Sequence, residues 1–381
     1  DPELEIIINV KGMVSAFNHD GTYVNGWPVK LSSTFFSSPV VFNKDGKKKI
    51  LVGTDDGLKM LNSDGTEDTS FVNNVVGYVP SSPAYGDLLK DIPGNEIVVK
   101  SCKICDYTRY DSLKIKREAR TFVYVLHSDG AIAQGWPKEF PGIEDQSPVL
   151  GDIDSNGKIE IIVPLPEGST NAIDISAKLP QIYIFDSFGN ILGDTLSKSY
   201  MQIADSPIAL ANFREDSMLG IARGLIYDVR ISYFQSSLRW FGAVEVGQFS
   251  GPVIVDISNN KNKELIIGGD RKVYGFELSE STDPNNKLIL MDAWPKIVDG
   301  WVATTPAIGD LDGDGDIEIV VATYTGSIYV YDLITPYNPS KIDWPMFQHD
   351  IYHTGNYHAK IAEMSKSFIR GDADESGVVD L

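Results

Sequence analysis

The sequence predicts an all-β fold, a seven-bladed β-propeller of four-stranded antiparallel blades, and three observations support this. A Ser-Pro-like phrase recurs along the chain at intervals of 44 to 65 residues. Each copy opens a short apolar strand, and in most units a β-branched run follows after a polar loop. Aromatic residues make up 10% of the chain and glycines number 34, which favours many strands and turns over long helices.

The repeated phrase begins six units, near residues 37, 81, 146, 205, 250 and 304. Its copies are Ser38-Pro39, Ser82-Pro83, Ser147-Pro148, Ser206-Pro207, Gly251-Pro252 and Thr305-Pro306. The β-branched second strands suit strands buried on both faces. Third strands end at turns such as Asp64-Gly65. Trp-Pro pairs at residues 27, 136, 294 and 344 are predicted on outer fourth strands, where proline is tolerated.

Residues 1–31 predict a partial seventh blade, because the segment from Asp1 to Ile8 aligns with the segment from Asp314 to Val321. The propeller then covers residues 1–357, and residues 358–381 are a linker and the start of another loop. Because no leader precedes Asp1, we interpret the chain as a mature or processed fragment. The missing first strand was either cut away or is supplied by the segment after Tyr357.

Charge and hydropathy argue against nucleic-acid binding and against a membrane-spanning segment. The formal net charge is −20, which repels a phosphate backbone, so we expect no nucleic-acid partner. No apolar run reaches about 18 residues, so we expect no transmembrane segment. Cys102 and Cys105 are the only cysteines, and they form either a local disulfide in an oxidising compartment or two free thiols.

The loops after the first strands carry the strongest chemical signal. In the best copy, carboxylates at alternate positions converge, the seventh residue offers a backbone carbonyl, and a glutamate closes the shell, as Ca²⁺ prefers. This copy consists of Asp310, Asp312, Asp314, Asp316 and Glu318. A second, weaker copy consists of Asp152, Asp154, Asn156, Lys158 and Glu160. The third and weakest consists of Asp256, Ser258, Asn260, Asn262 and Glu264.

Three further loops depart from the pattern, and we expect them to bind no metal. The loop with Asp87, Asp91 and Glu96 is one residue longer. The loop at residues 43–48 is shorter and lysine-rich, and the loop at residues 212–217 contains Arg214. Asp, Asn and Gly also favour turns without any metal, but two in-register copies between strands favour the calcium interpretation.

These units resemble the FG-GAP or VCBS repeats of integrin-type β-propellers over about residues 1–357. In that family a proline-containing first strand, a D-x-D-x-D-G loop and a β-branched second strand recur, as they do at Asp310 and, with Asn156 in place of one carboxylate, at Asp152. The resemblance implies that calcium has a structural role, by holding loops on one side of the propeller. It identifies no ligand.

The last residues look like the opening of a dockerin or EF-hand calcium loop. Asp372, Asp374 and Ser376 occupy its first, third and fifth positions, and Gly377 occupies the sixth. The twelfth position lies beyond Leu381. The resemblance implies that the parent protein continues into a dockerin-like module with a cohesin-like partner.

These features favour a non-catalytic, extracellular, calcium-binding propeller that acts in adhesion or in binding a protein or glycan through loops on its faces. Insertions at 100–120, 164–179 and 279–287 are the candidate recognition loops, with Tyr107, Tyr110 and the basic residues 114–120 as candidate contacts. The alternatives are a calcium-dependent polysaccharide lyase, another carbohydrate-active enzyme, or an accessory region of a secreted peptidase. His349 and His353 would suit zinc on one helix face, although packing against the last blade explains their segment better.

Overall fold

The computed structural model describes residues 5–10, 12–32, 37–103, 119–142, 145–165, 181–195, 206–214, 218–225, 228–234, 239–243, 250–279 and 285–361. The regular structure in these ranges is β, apart from one turn of 3-10 helix at Pro339–Lys341. The strand pairs are antiparallel with one named exception. The prediction of an all-β, antiparallel fold is therefore confirmed. No helix in the described ranges has the length and apolar character needed to cross a bilayer.

The chain divides into two compact units. The first draws on residues 1–152, 156–203 and 352–358, and the second on residues 153–155, 204–351 and 359–381.

The first unit contains four sheets in chain order, two with three strands and two with four. The first sheet has β1 (Ile6–Val10), β2 (Met13–Phe17) and β3 (Val29–Lys30), and the second has β4 (Val40–Lys44), β5 (Lys47–Thr54) and β6 (Gly57–Asn62). The third has β7 (Ala84–Gly86), β8 (Glu96–Lys103), β9 (Arg120–Leu126) and β10 (Lys138–Pro141). The fourth has β11 (Val149–Gly151), β12 (Glu160–Leu165), β13 (Gln181–Phe185) and β14 (Ile191–Thr195).

The second unit continues the pattern. One group has β15 (Ala209–Ala211), β16 (Gly220–Gly224), β17 (Asp228–Tyr233) and β18 (Arg239–Ala243). The next has β19 (Val253–Val255), β20 (Glu264–Gly268), β21 (Lys272–Leu278), β22 (Asn285–Leu290) and β23 (Lys296–Ile297). A parallel pairing of β18 with β22 joins these two groups. The last sheet has β24 (Ala307–Gly309), β25 (Asp316–Ala322) and β26 (Ile328–Pro336), and β27 (Ile342–Trp344) follows it.

Apolar cores lie between consecutive sheets of each unit. In the first unit one core combines Val14 and Ala16 of the first sheet with Ile50 and Val52 of the second. Two further cores join the second sheet to the third and the third to the fourth. In the second unit, one core joins the sheet that begins with β19 to the sheet that begins with β24. Burial on both faces explains why the second strands are β-branched runs without polar alternation.

The repeated Ser-Pro phrase has a structural role between neighbouring sheets. The hydroxyl Oγ of Ser82 accepts the backbone N–H of Ser38 at 2.8 Å, and Oγ of Ser147 accepts the N–H of Ser82 at 3.0 Å. In the second unit, Oγ1 of Thr305 accepts the N–H of Gly251 at 3.2 Å. The hydroxyl before each of these prolines therefore satisfies a backbone donor in the preceding sheet.

The Trp-Pro pairs make a second type of contact between sheets. Indole Nε1 of Trp27 donates to the carbonyl of Ser63, and that of Trp136 donates to the carbonyl of Ser187, each at 2.9 Å. The outer strands β3, β10 and β23 each begin directly after a Trp-Pro pair, as predicted. The fourth pair differs, because Trp344 belongs to β27 and lies opposite Ile254 of the first strand β19. The prediction of a fourth strand at Trp344 is therefore wrong, although β27 does lie at the edge of its sheet.

The segment that contains Trp344 covers the free edges of first strands. In the second unit, the N–H of Ile308 donates to the carbonyl of Pro345 at 2.8 Å. In the first unit, backbone carbonyls within residues 352–355 accept hydrogen bonds from three first strands. The donors are the N–H groups of the second residue of each strand, Val41, Tyr85 and Leu150. An uncovered strand edge exposes unpaired backbone groups. The segment was expected to pack against the last blade, and its backbone pairing with first strands was not predicted from its sequence.

Candidate metal centres

The loop between β24 and β25 holds the best candidate site. Positive φ angles at Gly313 (74°) and Gly315 (91°) let the chain turn sharply there. Asp310, Asp312 and Asp314 each offer a carboxylate oxygen, and these oxygens all lie within 4.8 Å of one another. The residues predicted at the first, third and fifth positions are thus brought together.

Glu318 closes the loop from the second strand. Its partner across the ladder is Gly309, at the end of the first strand. The Glu318 side chain is fully buried, and its Oε2 atom accepts the N–H of Leu311 at 2.5 Å. Asp316, at the predicted seventh position, donates its N–H to Oδ1 of Asp314 at 2.9 Å. The glutamate therefore fixes the loop backbone at Leu311.

Two oxygens in this loop are buried without a hydrogen-bond partner: Oδ1 of Asp310 and Oε1 of Glu318. A buried carboxylate oxygen without a partner is costly, and such groups in native proteins are normally satisfied by a donor or a cation. Burial, together with the negative charges of the three aspartates, raises the pKa of the Glu318 carboxyl. A bound cation would reverse this effect, because it favours the charged form of every carboxylate around it.

The second loop, between β11 and β12, has the same construction with fewer charges. Asp152, Asp154 and Glu160 offer oxygens within 4.8 Å of one another. Both oxygens of Asp152 accept backbone N–H groups, from Asn156 at 2.9 Å and from Gly157 at 2.8 Å. The Asn156 side chain accepts the N–H of Lys158 at 2.8 Å. The loop is therefore held in a turn by the same side chains that were predicted to bind calcium.

The third loop, between β19 and β20, contains two carboxylates. Asp256 accepts the N–H groups of Asn260 and Lys261, both at 3.1 Å, and Oε2 of Glu264 accepts the N–H of Ile257 at 2.8 Å. Ser258 donates its N–H to the same glutamate oxygen at 3.4 Å. The Asn260 side chain accepts the N–H of Asn262 at 2.8 Å. Glu264 Oε1 is buried without a hydrogen-bond partner, and burial raises the pKa of its carboxyl.

The remaining loops take other forms. Glu96 keeps the glutamate position, accepts the N–H groups of Leu88 and Leu89, and lies 3.5 Å from Nδ1 of His127. Sequence reasoning did not single out His127, because the contact joins a second strand to the end of a third. Between β4 and β5 the loop shortens to a turn at Asp45-Gly46, with φ angles of 53° and 75°. In the loop at 212–217, residues 215–217 lie outside the described ranges.

The histidines at 349 and 353 do not lie on a helix. Both have positive φ, 72° and 56°, and the segment around them consists of turns. His349 is buried, its ring packs on Trp344 with centroids 4.9 Å apart, and its Nδ1 lies 3.3 Å from Asp350 Oδ2. The helical geometry that a shared zinc site required is absent.

Other predicted residues fall outside the described ranges. These are Asp372, Asp374 and Ser376, Tyr107 and Tyr110, residues 114–118 of the basic cluster, and most of the three insertions. Cys102 is disulfide-bonded, which agrees with the disulfide alternative, and Cys105 is not among the described residues.

Comparison with known proteins gives likeness of structure only. No family model and no curated protein sequence matches the chain. Among solved structures, BBS1N in complex with ARL6DN is 12% identical with a TM-score of 0.48, covering 89% of this chain and 90% of that one. The V. cholerae biofilm matrix protein Bap1 is 12% identical with a TM-score of 0.37 (90% and 76% covered). The exotype rhamnogalacturonan lyase YesX is 13% identical with a TM-score of 0.42 (89% and 75% covered).

Proposed function

We propose that this chain is a non-catalytic, calcium-binding β-propeller that acts outside the cell in adhesion or in binding a protein or glycan ligand. The observation that carries the calcium part is the pair of buried, unpartnered oxygens on Asp310 and Glu318. They belong to a loop with five carboxylates and no lysine or arginine. Calcium prefers such sets of six to eight oxygens with several negative charges.

The propeller part, with seven blades, rests on the repetition of one sheet plan. Six first strands each follow a proline, and each leads through a loop to an antiparallel second and third strand. Within each unit, apolar cores and Ser or Thr hydroxyls join one sheet to the next. Sheets that stack face to face in chain order are the building plan of a propeller. Four-stranded blades throughout remain part of this proposal, because three of the described sheets have three strands.

The extracellular part is supported by the disulfide at Cys102, since disulfides persist in oxidising compartments. In this proposal calcium holds the blade loops in place, and ligands bind through the insertions on the propeller faces. A cohesin-like partner for the end of the chain belongs to the same proposal.

The decisive experiment is a calcium titration followed by thermal melting, with Asp310→Asn and Glu318→Gln as test variants. Calcium should raise the melting temperature of the wild type, and a chelator should remove that gain. Both variants should lose most of it. Asp45→Asn is the matched control, because it removes one carboxylate at a turn where asparagine suits the positive φ. If calcium leaves the wild-type melting temperature unchanged, the calcium proposal is wrong.

A glycan array on the calcium-loaded protein separates the ligand classes. Binding to a defined glycan set without cleavage supports the lectin form of the proposal. Release of unsaturated sugar products would instead support the polysaccharide lyase. If no glycan on the array binds, the ligand should be sought among proteins.

A further inference from the structure

We infer that the ammonium group of Lys341 is the resident cation of the third loop, where its charge offsets that of Asp256 and makes the loop a poor site for calcium. This inference rests on the proposed calcium function of the loops at Asp152 and Asp310. It also revises the prediction of three propeller sites to two.

Strand register brings Lys341 to the loop. In β27, Trp344 lies opposite Ile254 and Ile342 opposite Val255 of the first strand β19. The residue directly after β19 is Asp256, the first position of the loop, and its N–H donates to the carbonyl of Lys341 at 3.0 Å. Backbone pairing therefore fixes Lys341 beside the loop.

The side chain of Lys341 then meets the loop oxygens. Its Nζ lies 3.7 Å from Oδ2 of Asp256 and donates to Oδ1 of Asn259. Asp256 is buried, with 2% of its side chain exposed, whereas Lys341 is 31% exposed. Burying a carboxylate costs free energy through desolvation, and a nearby positive charge offsets part of that cost. Lys341 supplies that charge from outside the loop.

A second ion pair joins the same two segments, this time with the lysine on the loop and the aspartate on β27. Nζ of Lys263, in the loop, lies 3.0 Å from Oδ1 of Asp343 and donates to the carbonyl of Lys341 at 2.9 Å. Oδ2 of Asp343 accepts the N–H of Asn212 at 2.8 Å. Each segment thus contributes one lysine to an aspartate of the other. Lys341 is held through its carbonyl, which accepts from Lys263, and through its ammonium, which lies beside Asp256.

Charge separates this loop from the calcium candidates. Residues 310–318 contain five carboxylates and no basic residue, and residues 152–160 contain three carboxylates and one lysine. Residues 256–264 contain two carboxylates and two lysines. Lys341 adds a third positive charge and Asp343, the partner of Lys263, a third negative one, so the charges around this loop balance. A divalent ion would therefore meet no net negative charge there, unlike at the loops of Asp310 and Asp152.

Glu264 identifies what the third loop has retained. Its side chain is fully buried and its Oε1 has no hydrogen-bond partner, as with Oε1 of Glu318. The loop thus keeps the glutamate of a cation site, although its aspartates at the third and fifth positions are replaced by Ser258 and Asn260. If Lys341 is removed, this loop should accept a divalent cation weakly, with a dissociation constant of about 10⁻³ M.

The test uses the full chain with Lys341→Met, which keeps the length of the side chain and removes its charge. Lys360→Met is the control, because Lys360 is exposed and lies outside the loop. We expect Lys341→Met to lower the melting temperature in chelator by several degrees more than the control does. In calcium titration calorimetry the wild type should bind two ions, and Lys341→Met should bind one additional, weak ion. Adding Asp256→Asn should remove that additional ion.

Each outcome decides the inference. It is overturned if Lys341→Met matches Lys360→Met in chelator, if Lys341→Met gains no ion, or if Asp256→Asn in the wild-type background removes one ion. Failure of the proposed function has a different signature, because the wild type would then bind no calcium at all. In that case the loss of stability of Lys341→Met in chelator and its new weak site would still be observed.

Discussion

The Oγ atom of Ser82 accepts the backbone N–H of Ser38 at 2.8 Å, although the two residues are 44 positions apart. Both precede the proline that opens a first strand, and Ser82 is fully buried. The repeated Ser-Pro phrase is therefore a bond between sheets as well as the start of a strand. The hydroxyl provides the acceptor for a backbone donor that the local strand does not satisfy.

Replacement of this hydroxyl should be costly. Ser82→Ala leaves the partly buried N–H of Ser38 without its acceptor, so we expect a loss of about 1 kcal/mol in the free energy of unfolding. Urea unfolding followed by fluorescence measures it. Ser63→Ala, at an exposed turn, is the control and should change little. Equal midpoints for the two variants would contradict the assigned role of the hydroxyl.

Gly26 should be required for two reasons: its positive φ, and the close approach of the Asp64 backbone to its Cα. Gly26 and Gly21 both have positive φ, 91° and 80°. A Cβ at Gly26 would lie 2.0 Å from the carbonyl oxygen of Asp64, whereas a Cβ at Gly21 meets nothing within 4 Å. Gly21→Ala should cost about 1 kcal/mol from backbone strain alone. Gly26→Ala should cost at least twice as much in the same urea experiment, and a similar cost for both would refute the contact.

The ion pair of Lys49 and Asp68 should make the free energy of unfolding depend on pH in the acid range. Nζ of Lys49 lies 2.6 Å from Oδ2 of Asp68, and both side chains are nearly buried. Hydrogen bonds from Lys49, and then from Ser70, hold the pKa of the Asp68 carboxyl well below its usual range. A depressed pKa contributes stability above the pKa of the unfolded chain, about 3.9, and that contribution is lost as the pH falls below it.

We therefore expect Asp68→Asn to be less stable than the wild type at pH 6, with the difference shrinking steadily below about pH 4. Unfolding free energies across this pH range measure the effect. Glu67→Gln removes the neighbouring exposed ion pair with Lys59, and it should have little effect at any pH because such pairs contribute little. A difference for Asp68→Asn that does not vary with pH would exclude the ion pair as its cause.

The two proposed calcium loops, at Asp310 and Asp152, should differ in affinity. The loop at Asp310 has five carboxylates, whereas the loop at Asp152 has three and a lysine. Fewer ligand charges weaken calcium binding, so we expect dissociation constants that differ by about tenfold or more. Calorimetry on Asp310→Asn should leave only the weaker event, and calorimetry on Asp152→Asn only the stronger one. The reverse assignment would show that loop charge does not set the affinity.

The sequence by itself determined the strand plan. Proline positions, polar loops and β-branched runs are local signals, because backbone restriction and burial on both faces act within a few residues. The alternating carboxylates at Asp310 and Asp152 are equally local, since one tight loop brings its own first, third and fifth side chains together. These features could be read without knowledge of any distant contact.

Only the tertiary structure decided which distant groups meet. The bond between Ser38 and Ser82, the pairing of Trp344 with Ile254, and the place of Lys341 beside Asp256 join residues 44 to 90 positions apart. Such contacts depend on which strand edges remain free after the sheets form, and no short window of sequence records that. For the same reason the Trp344 strand was misplaced, and the third loop resembled a calcium site whose nearest cation is a lysine from another segment.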